Sequence, residues 1–146
     1  MPKRYLLDTD TLSQLISRPD GVVATMIGEL PDDSVYTSVI VACELRFGAC
    51  KRGSAALTQR VEQCLNSMEV LALEPGVDQV YGQLRAALEK GGRPIGGNDL
   101  LIAAHALSAG LVLVTHNTAE FQRVPKLAIE DWLEAIARPT PAAGKS

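Results

Sequence analysis

The feature that most constrains the fold is the alternation of short apolar runs with longer stretches of helical period. Strands read at Lys3 to Asp8, Ser34 to Thr37, Met68 to Leu73 and Leu111 to Thr115. Leu127 to Glu130 is a candidate fifth, with Trp132 packing just beyond it. Between them, helices read at Thr11 to Ser17, Val22 to Leu30, Val39 to Phe47, Ser54 to Ser67, and from just after Pro75-Gly76 to Lys90. Ser38 is placed to cap the third of these. The stretch Gly91-Gly92-Arg93-Pro94-Ile95-Gly96-Gly97 reads as loop. Asn98 then caps a helix from Asp99 to Ala109, which Gly110 ends. Strands alternating with helices imply an α/β fold with a mostly parallel sheet covered on both faces. A length of 146 residues fits one domain, read here as residues 1–137. The Pro-, Ala- and Gly-rich stretch 138–146 reads as a disordered tail.

In such folds ligands bind beyond the carboxyl ends of the strands. Asp8 stands at one of those ends and His116-Asn117 at another. Three more acids follow: Glu44 inside an apolar helix, Asp99 opening a second one, and Glu120 after the strand that ends at Thr115. Each has a plain reading of its own. Asp8 serves as a turn residue or N-cap. Glu44 snorkels to solvent or pairs with Arg46 or Lys51. Asp99 is an acid favoured by the helix dipole, and Glu120 an exposed glutamate. Burying a carboxylate without an opposite charge costs several kcal/mol or more, so a shared site explains the four better than four accidents. Carboxylate oxygens without histidine partners select hard cations, Mg²⁺ or Mn²⁺ over zinc. Such ions activate water, neutralise phosphate charge and stabilise a leaving oxygen. The expected chemistry is therefore at phosphate.

Composition weakens a nucleic-acid partner without removing it. Net charge is −3, so no overall basic field advertises one, although bound cations would reverse the local sign. Aromatics make up 4% of residues, which argues against an aromatic stacking platform. Cys43, Cys50 and Cys64 form an odd set without a CxxC and read as buried, reduced thiols, as in a cytosolic protein. The two basic residues near the start meet no apolar signal region, since Tyr5-Leu6-Leu7 runs straight into Asp8. The expected location is cytoplasmic, without a membrane span.

Four motifs in this order carry a family resemblance. They are Leu6-Leu7-Asp8-Thr9-Asp10; Ser38 with Glu44-Leu45-Arg46-Phe47-Gly48; Gly92 to Ala106, which holds Asn98-Asp99; and Leu113-Val114-Thr115-His116-Asn117-Thr118-Ala119-Glu120-Phe121. The chain resembles the PIN-domain nucleases, specifically the VapC-like toxins of bacterial toxin–antitoxin pairs. The resemblance implies a three-layer α/β/α fold and a Mg²⁺-dependent endoribonuclease, with Mn²⁺ able to substitute. It also implies an RNA substrate, a small VapB-like antitoxin that blocks the site, a homodimer, and DNA contact only through the antitoxin. Carried over by position, Asp8 and Asp99 are the principal metal ligands with Glu44 beside them. Glu120 and Asn117 complete the catalytic set. Asn117 stands where a further aspartate is common, and Glu120 is the candidate to supply the missing charge. His116 stands where Asn or Asp is commoner, and Asp10 where Asn is usual. Thr9, Thr115, Arg46 and Arg93 are candidates for substrate contact, with Lys51, Arg52 and Arg85 behind them. Cleavage by metal-activated water would leave a 5′-phosphate and a 3′-hydroxyl.

Two rivals share these residues. Leu6 to Leu12 also fits the DxDxT of haloacid-dehalogenase-like phosphatases, with Asp8 as nucleophile and Asp10 as acid/base. Against it, Ile95 stands where that family's later motif wants an aspartate, no lysine has the right spacing, and Glu44 and Glu120 have no role. The second rival is a catalytically degenerate PIN-like binding module, which Asn117 keeps alive. Gly144-Lys145-Ser146 only imitates a P-loop end. His105 and His116 are too few for zinc, and His105 reads as a helix-face or core residue.

Overall fold

The structure, a computed structural model, describes residues 2–133. The chain runs β1 (Tyr5–Leu7), α1 (Thr9–Ser17), α2 (Val22–Gly28), β2 (Val35–Ser38), α3 (Val39–Arg52) and α4 (Ala55–Asn66). It continues β3 (Glu69–Leu71), α5 (Val77–Lys90), α6 (Gly97–Ala109), β4 (Val112–Val114), α7 (Thr118–Phe121) and β5 (Ile129–Glu130). All strand pairings are parallel, in the spatial order β3-β2-β1-β4-β5. The three residues of β1 are buried, as a central parallel strand requires, whereas β3 and β5 at the edges are only partly covered.

The strand order explains the layers. From β1 the chain steps to β2 and β3 on one side, then crosses back to place β4 and β5 on the other. Right-handed crossovers therefore put α1 to α4 over one face and α5 to α7 over the opposite face. The packing agrees: α1, α3 and α4 contact one another, and α5 pairs with α6. The direction of winding reverses between β1 and β4, so the crevice of this sheet opens beyond their carboxyl ends. Leu7 lies level with Val114 across that pair, which sets Asp8 and Thr115 side by side at its mouth.

Several local expectations hold, and others shift. Ser38 caps α3, its hydroxyl accepting from the Ile40 N–H at 3.0 Å. Trp132 is buried beyond β5 and meets Tyr5 edge-to-face, with ring centroids 5.5 Å apart. The third helix, however, runs on past Phe47 to Arg52. Gly48 does not break it; Lys51 and Arg52 suit the negative end of the helix dipole, and Gly53 at φ 65° supplies the left-handed stop. The sixth helix begins at Gly97, with Gly96 rather than Asn98 at its cap. Asn98 lies within the first turn and turns its side chain outward to another helix. Only Cys64 is buried; Cys43 and Cys50 are exposed. The buried side of α3 is Val41, Ala42, Leu45 and Ala49, and that choice leaves both cysteines on the solvent side. The tail, residues 138–146, and the expected domain end at residue 137 lie outside the described residues. Among the described residues, no helix is long and apolar enough to cross a membrane.

Candidate active site at the switch point of the sheet

Asp8 follows the last residue of β1 and is 6% exposed. It is the N-cap of α1, with Oδ1 accepting from the Thr11 N–H at 3.0 Å. Burial pushes its carboxyl above the usual aspartate range, and hydrogen bonds from the hydroxyl of Thr115 and from Thr11 offset part of that. The expected N-cap role of Asp8 holds, and the residue also lines the cleft described below.

Glu44 sits in the second turn of α3, next to the buried Leu45. Its two oxygens are held separately. Thr9 Oγ1 donates to Oε1, and Asn98 Nδ2 donates to Oε2 at 3.2 Å. Neither Arg46 nor Lys51 is its partner: Arg46 makes a two-pronged pair with Glu62 at 2.8 Å, and Lys51 stands over the ring of Phe47.

Asp99, in the first turn of α6, faces Glu120 and feels the charges of the other two acids. Burial, then a hydrogen bond and repulsion from Glu120, then the charges of Glu44 and Asp8, raise its pKa to about 7. Glu120 on α7 is held in turn by Asn117, whose Nδ2 donates to Oε1 at 3.2 Å. Asn117 is itself fixed by its N–H, which donates to Thr115 Oγ1 at 3.0 Å. Four acids distant in sequence thus belong to one electrostatic group.

Three of them, Asp8, Glu44 and Asp99, line a cleft of about 640 Å³ with Thr9, Asp10, Asn98, Asn117, Cys43, Phe47 and Phe121; Glu120 joins the group through Asp99. No lysine, arginine or histidine is among these lining residues. A pocket whose carboxyl groups repel one another without a basic partner fits a hard divalent cation by donor chemistry. Among the described residues no three acid, histidine or cysteine side chains already stand in a metal-holding arrangement. The reason is visible in the hydrogen bonds: Asp99 and Glu120 are turned toward each other, and Glu44 toward Thr9 and Asn98.

The remaining sequence candidates divide by position. Thr9 and Thr115 lie at the site but point inward, Thr9 onto Glu44 and the fully buried Thr115 onto Asp8 and Asn117. Both position acids; Thr9 also lines the cleft, whereas Thr115 is fully buried. Arg46 and Arg93 do not line the cleft, and Arg93 is exposed in the turn after α5. Arg85 pairs with Glu89 at 2.9 Å. Asp10 lines the cleft but is exposed and points from the first turn of α1. His116 is exposed with Nδ1 3.0 Å from Asp131. His105 is a core residue, its Nδ1 2.8 Å from Ser38 Oγ, and burial lowers its pKa.

Asn98 is the functional residue that sequence reading misplaced. An amide just before an acid at a helix start reads as a cap, and the residue that receives it is 54 positions away. Two threonines were also unread: Thr11 Oγ1 donates to the Val114 carbonyl at 3.2 Å and Thr37 Oγ1 to the Leu7 carbonyl at 2.7 Å. Each adds a side-chain donor at a strand end, and the Val114 carbonyl also accepts from the Asp8 N–H at 3.0 Å.

Comparison with known proteins gives a consistent picture. A family model for the PIN domain matches residues 5–127. The chain is 40% identical over 136 residues to "Ribonuclease VapC1" of Haemophilus influenzae strain R2866, covering 88% of this chain and 97% of that protein. It is 35% identical over 131 residues to "tRNA(fMet)-specific endonuclease VapC" of Salmonella typhimurium, covering 88% and 98%. Among solved structures, VapBC2 from Rickettsia felis, bound to a DNA fragment from the promoter, superimposes with a TM-score of 0.81 at 32% identity, covering 88% of this chain and 98% of that one.

Proposed function

The chain belongs to the PIN-domain family, among the VapC ribonucleases, and on that premise we propose that it is a Mg²⁺-dependent endoribonuclease toxin that cuts RNA in the acidic cleft. The observation that carries this is the convergence of Asp8, Glu44, Asp99 and Glu120 at the reversal point of the sheet. Asp8 and Asp99 would hold the ion, with Glu44 beside them. When bound, the ion supplies charge neutralisation for the phosphodiester and lowers the pKa of the attacking water.

The protein's own residues do the rest. Thr9 and Asn98 fix the orientation of Glu44, the support that keeps a ligand from being lost to rotamer freedom. Thr115 and Thr11 hold Asp8. Asn117 aims Glu120 at Asp99, so the position where an aspartate is common is filled by an amide that delivers a glutamate. Burial and the neighbouring Glu120 raise the Asp99 pKa to about 7, so a divalent cation held there would take the place of a proton between the two carboxyls. Glu120 is then the carboxylate free to accept a proton from the attacking water. The products are a 5′-phosphate and a 3′-hydroxyl, since nothing in this arrangement calls on the RNA 2′-hydroxyl.

The relative named for tRNA(fMet) makes initiator tRNA the first substrate to try. The toxin–antitoxin structures of relatives, two of them DNA-bound, support a small antitoxin that covers the cleft and brings the pair to DNA. A homodimer and a cytoplasmic location complete the reading. The phosphatase rival has lost its ground: Glu44 belongs to the acid cluster, and the family is a nuclease family. Asn117 no longer argues for a degenerate module, because it has a partner in Glu120.

The test uses protein freed of any partner on mixed cellular RNA, with Mg²⁺ or EDTA. We expect cleavage that needs Mg²⁺, is lost in Glu44→Gln and Asp99→Asn, and survives Asp10→Asn. Mg²⁺-dependent phosphatase activity without RNA cleavage, lost in Asp10→Asn and kept in Glu44→Gln, would overturn the reading.

A further inference from the structure

Among the described residues only two large apolar side chains are strongly exposed, Phe47 at 66% and Leu73 at 40%. Leu73 lies after β3, beside a different depression formed with Pro75, Val77 and Tyr81. Phe47 lines the acidic cleft itself. A single exposed aromatic is ordinary on a protein surface; what sets Phe47 apart is that its ring lines the acidic cleft together with Glu44.

Its neighbours indicate what the ring would meet there. Glu44 and Phe47 are three residues apart on α3, and Phe47 and Lys51 four apart, so the three side chains succeed one another along one face of the helix. The Lys51 ammonium stands 5.9 Å from the ring centroid. The face therefore reads, outward from the acids, as carboxylate, ring, cation. The other residues around the ring are polar or small: Arg46, Gly48 and the exposed Cys43 and Cys50. A protein partner bound through apolar contact wants a contiguous patch of several hundred Å², and this is a single ring between Glu44 and Lys51. A strand of RNA offers the matching series. Its scissile phosphate goes to the acid site, the adjacent base to a flat apolar surface, and the next phosphate to a cation.

We propose that Phe47 is a stacking platform for the nucleobase next to the scissile phosphate, with Lys51 holding the phosphate beyond it. This rests on the ribonuclease reading above. It also revises the inference from composition: one ring in the right place suffices for stacking, however few aromatics the chain has. Stacking of this kind is worth a factor of about 5 to 150 in affinity per base.

The test compares wild-type, Phe47→Trp, Phe47→Leu and Phe47→Ala, free of antitoxin. The residue is exposed, so all four should fold with nearly the same Tm. The binding probe is a single-stranded RNA carrying 2-aminopurine at successive positions, with Ca²⁺ in place of Mg²⁺ to suppress cutting. The cleavage probe is unmodified tRNA with Mg²⁺. Expected is fluorescence quenching at one position by wild-type and Phe47→Trp, absent with Phe47→Leu and Phe47→Ala. The same two losses should raise KM about tenfold while kcat stays within about twofold. Three results would overturn the proposal. One is RNA binding with no quenched position. Another is Phe47→Leu matching wild-type, which would make the contact merely apolar. The third is unchanged KM in Phe47→Ala with weakened antitoxin binding, which would make the ring a protein contact. Wild-type protein that neither binds nor cuts any RNA would remove the ribonuclease reading, and this inference with it.

Discussion

The two sides of the cleft solve the same electrostatic problem differently. On one side, the Glu44 carboxylate is met by two neutral donors, Thr9 and Asn98, each on its own oxygen. On the other, Asp99 is met by a second carboxyl, Glu120, and its pKa rises to about 7. Hydrogen-bond donors stabilise charge where it is, whereas a second acid stabilises only the protonated form. The Glu44 side is therefore set in place before any ligand arrives. The Asp99 side waits for a cation or a proton, and the two compete for it.

The most severe way to break this contrast is to neutralise the waiting side. On the proposed reading, Asp99→Asn should lower RNA cleavage by at least about 10³-fold, because it would remove a principal metal ligand. Yet it should raise the stability of the metal-free protein, since an amide has no charge to bury. Asp99 is half exposed, and solvent screening holds that gain to roughly 1 kcal/mol. Thermal denaturation in EDTA, beside a single-turnover assay, tests both halves. An Asp99→Asn protein less stable than wild-type in EDTA would show that the acids do not repel one another.

Loosening the fixed side should cost less. Thr9→Val and Asn98→Ala each remove one donor from Glu44 without touching an acid, and should lower cleavage about 10- to 100-fold. Their signature should be a raised Mg²⁺ requirement, read from activity against ion concentration. Losses independent of Mg²⁺ would mean that Glu44 needs no positioning.

The smallest effect is with pH. Asp99 is raised from an ordinary value of 3.8 to about 7, so the stabilisation of its protonated form is complete below about 4 and lost as pH rises through 7. In EDTA, the Tm should accordingly fall between about pH 4 and 7 by an amount worth about 1 kcal/mol, and level off above. The slope should be absent in Asp99→Asn and flattened by saturating Mg²⁺. A wild-type slope unchanged by either would place its origin elsewhere in the molecule.

How much of this was legible depended on the range over which each interaction acts. The helix–strand order, the Ser38 cap, the stop at Gly110 and the four acids could be read because they rest on local pattern and on the place of acids relative to apolar runs. Which face of α3 turns inward could not. Val39, Ile40, Val41, Ala42, Cys43, Leu45 and Phe47 put apolar or weakly polar side chains all around that helix. Packing against α1 and α4 settled the choice and sent Cys43, Cys50 and Phe47 outward. Asn98 was misread for a related reason. A cap and a cross-helix donor have the same sequence signature, and only the folded distance to Glu44 separates them. The place of Asn117 was legible but not its use, since the hydrogen bond to Glu120 depends on how α7 turns after β4.

The sheet order carries a consequence for when the protein becomes dangerous to its maker. The cleft lies between β1, the first strand made, and β4, which is followed by the last of the four acids. A ribosome that has released only β1 to β3 has exposed Asp8 and Glu44 but neither Asp99 nor Glu120. On the ribonuclease reading, half a site would hold no ion and cut nothing. Because β4 must slide in beside β1 across more than a hundred residues of chain, the cleft closes only after the stretch from β1 through β4 has been translated. A cell thus gains time to have the antitoxin waiting at the moment the last acid arrives.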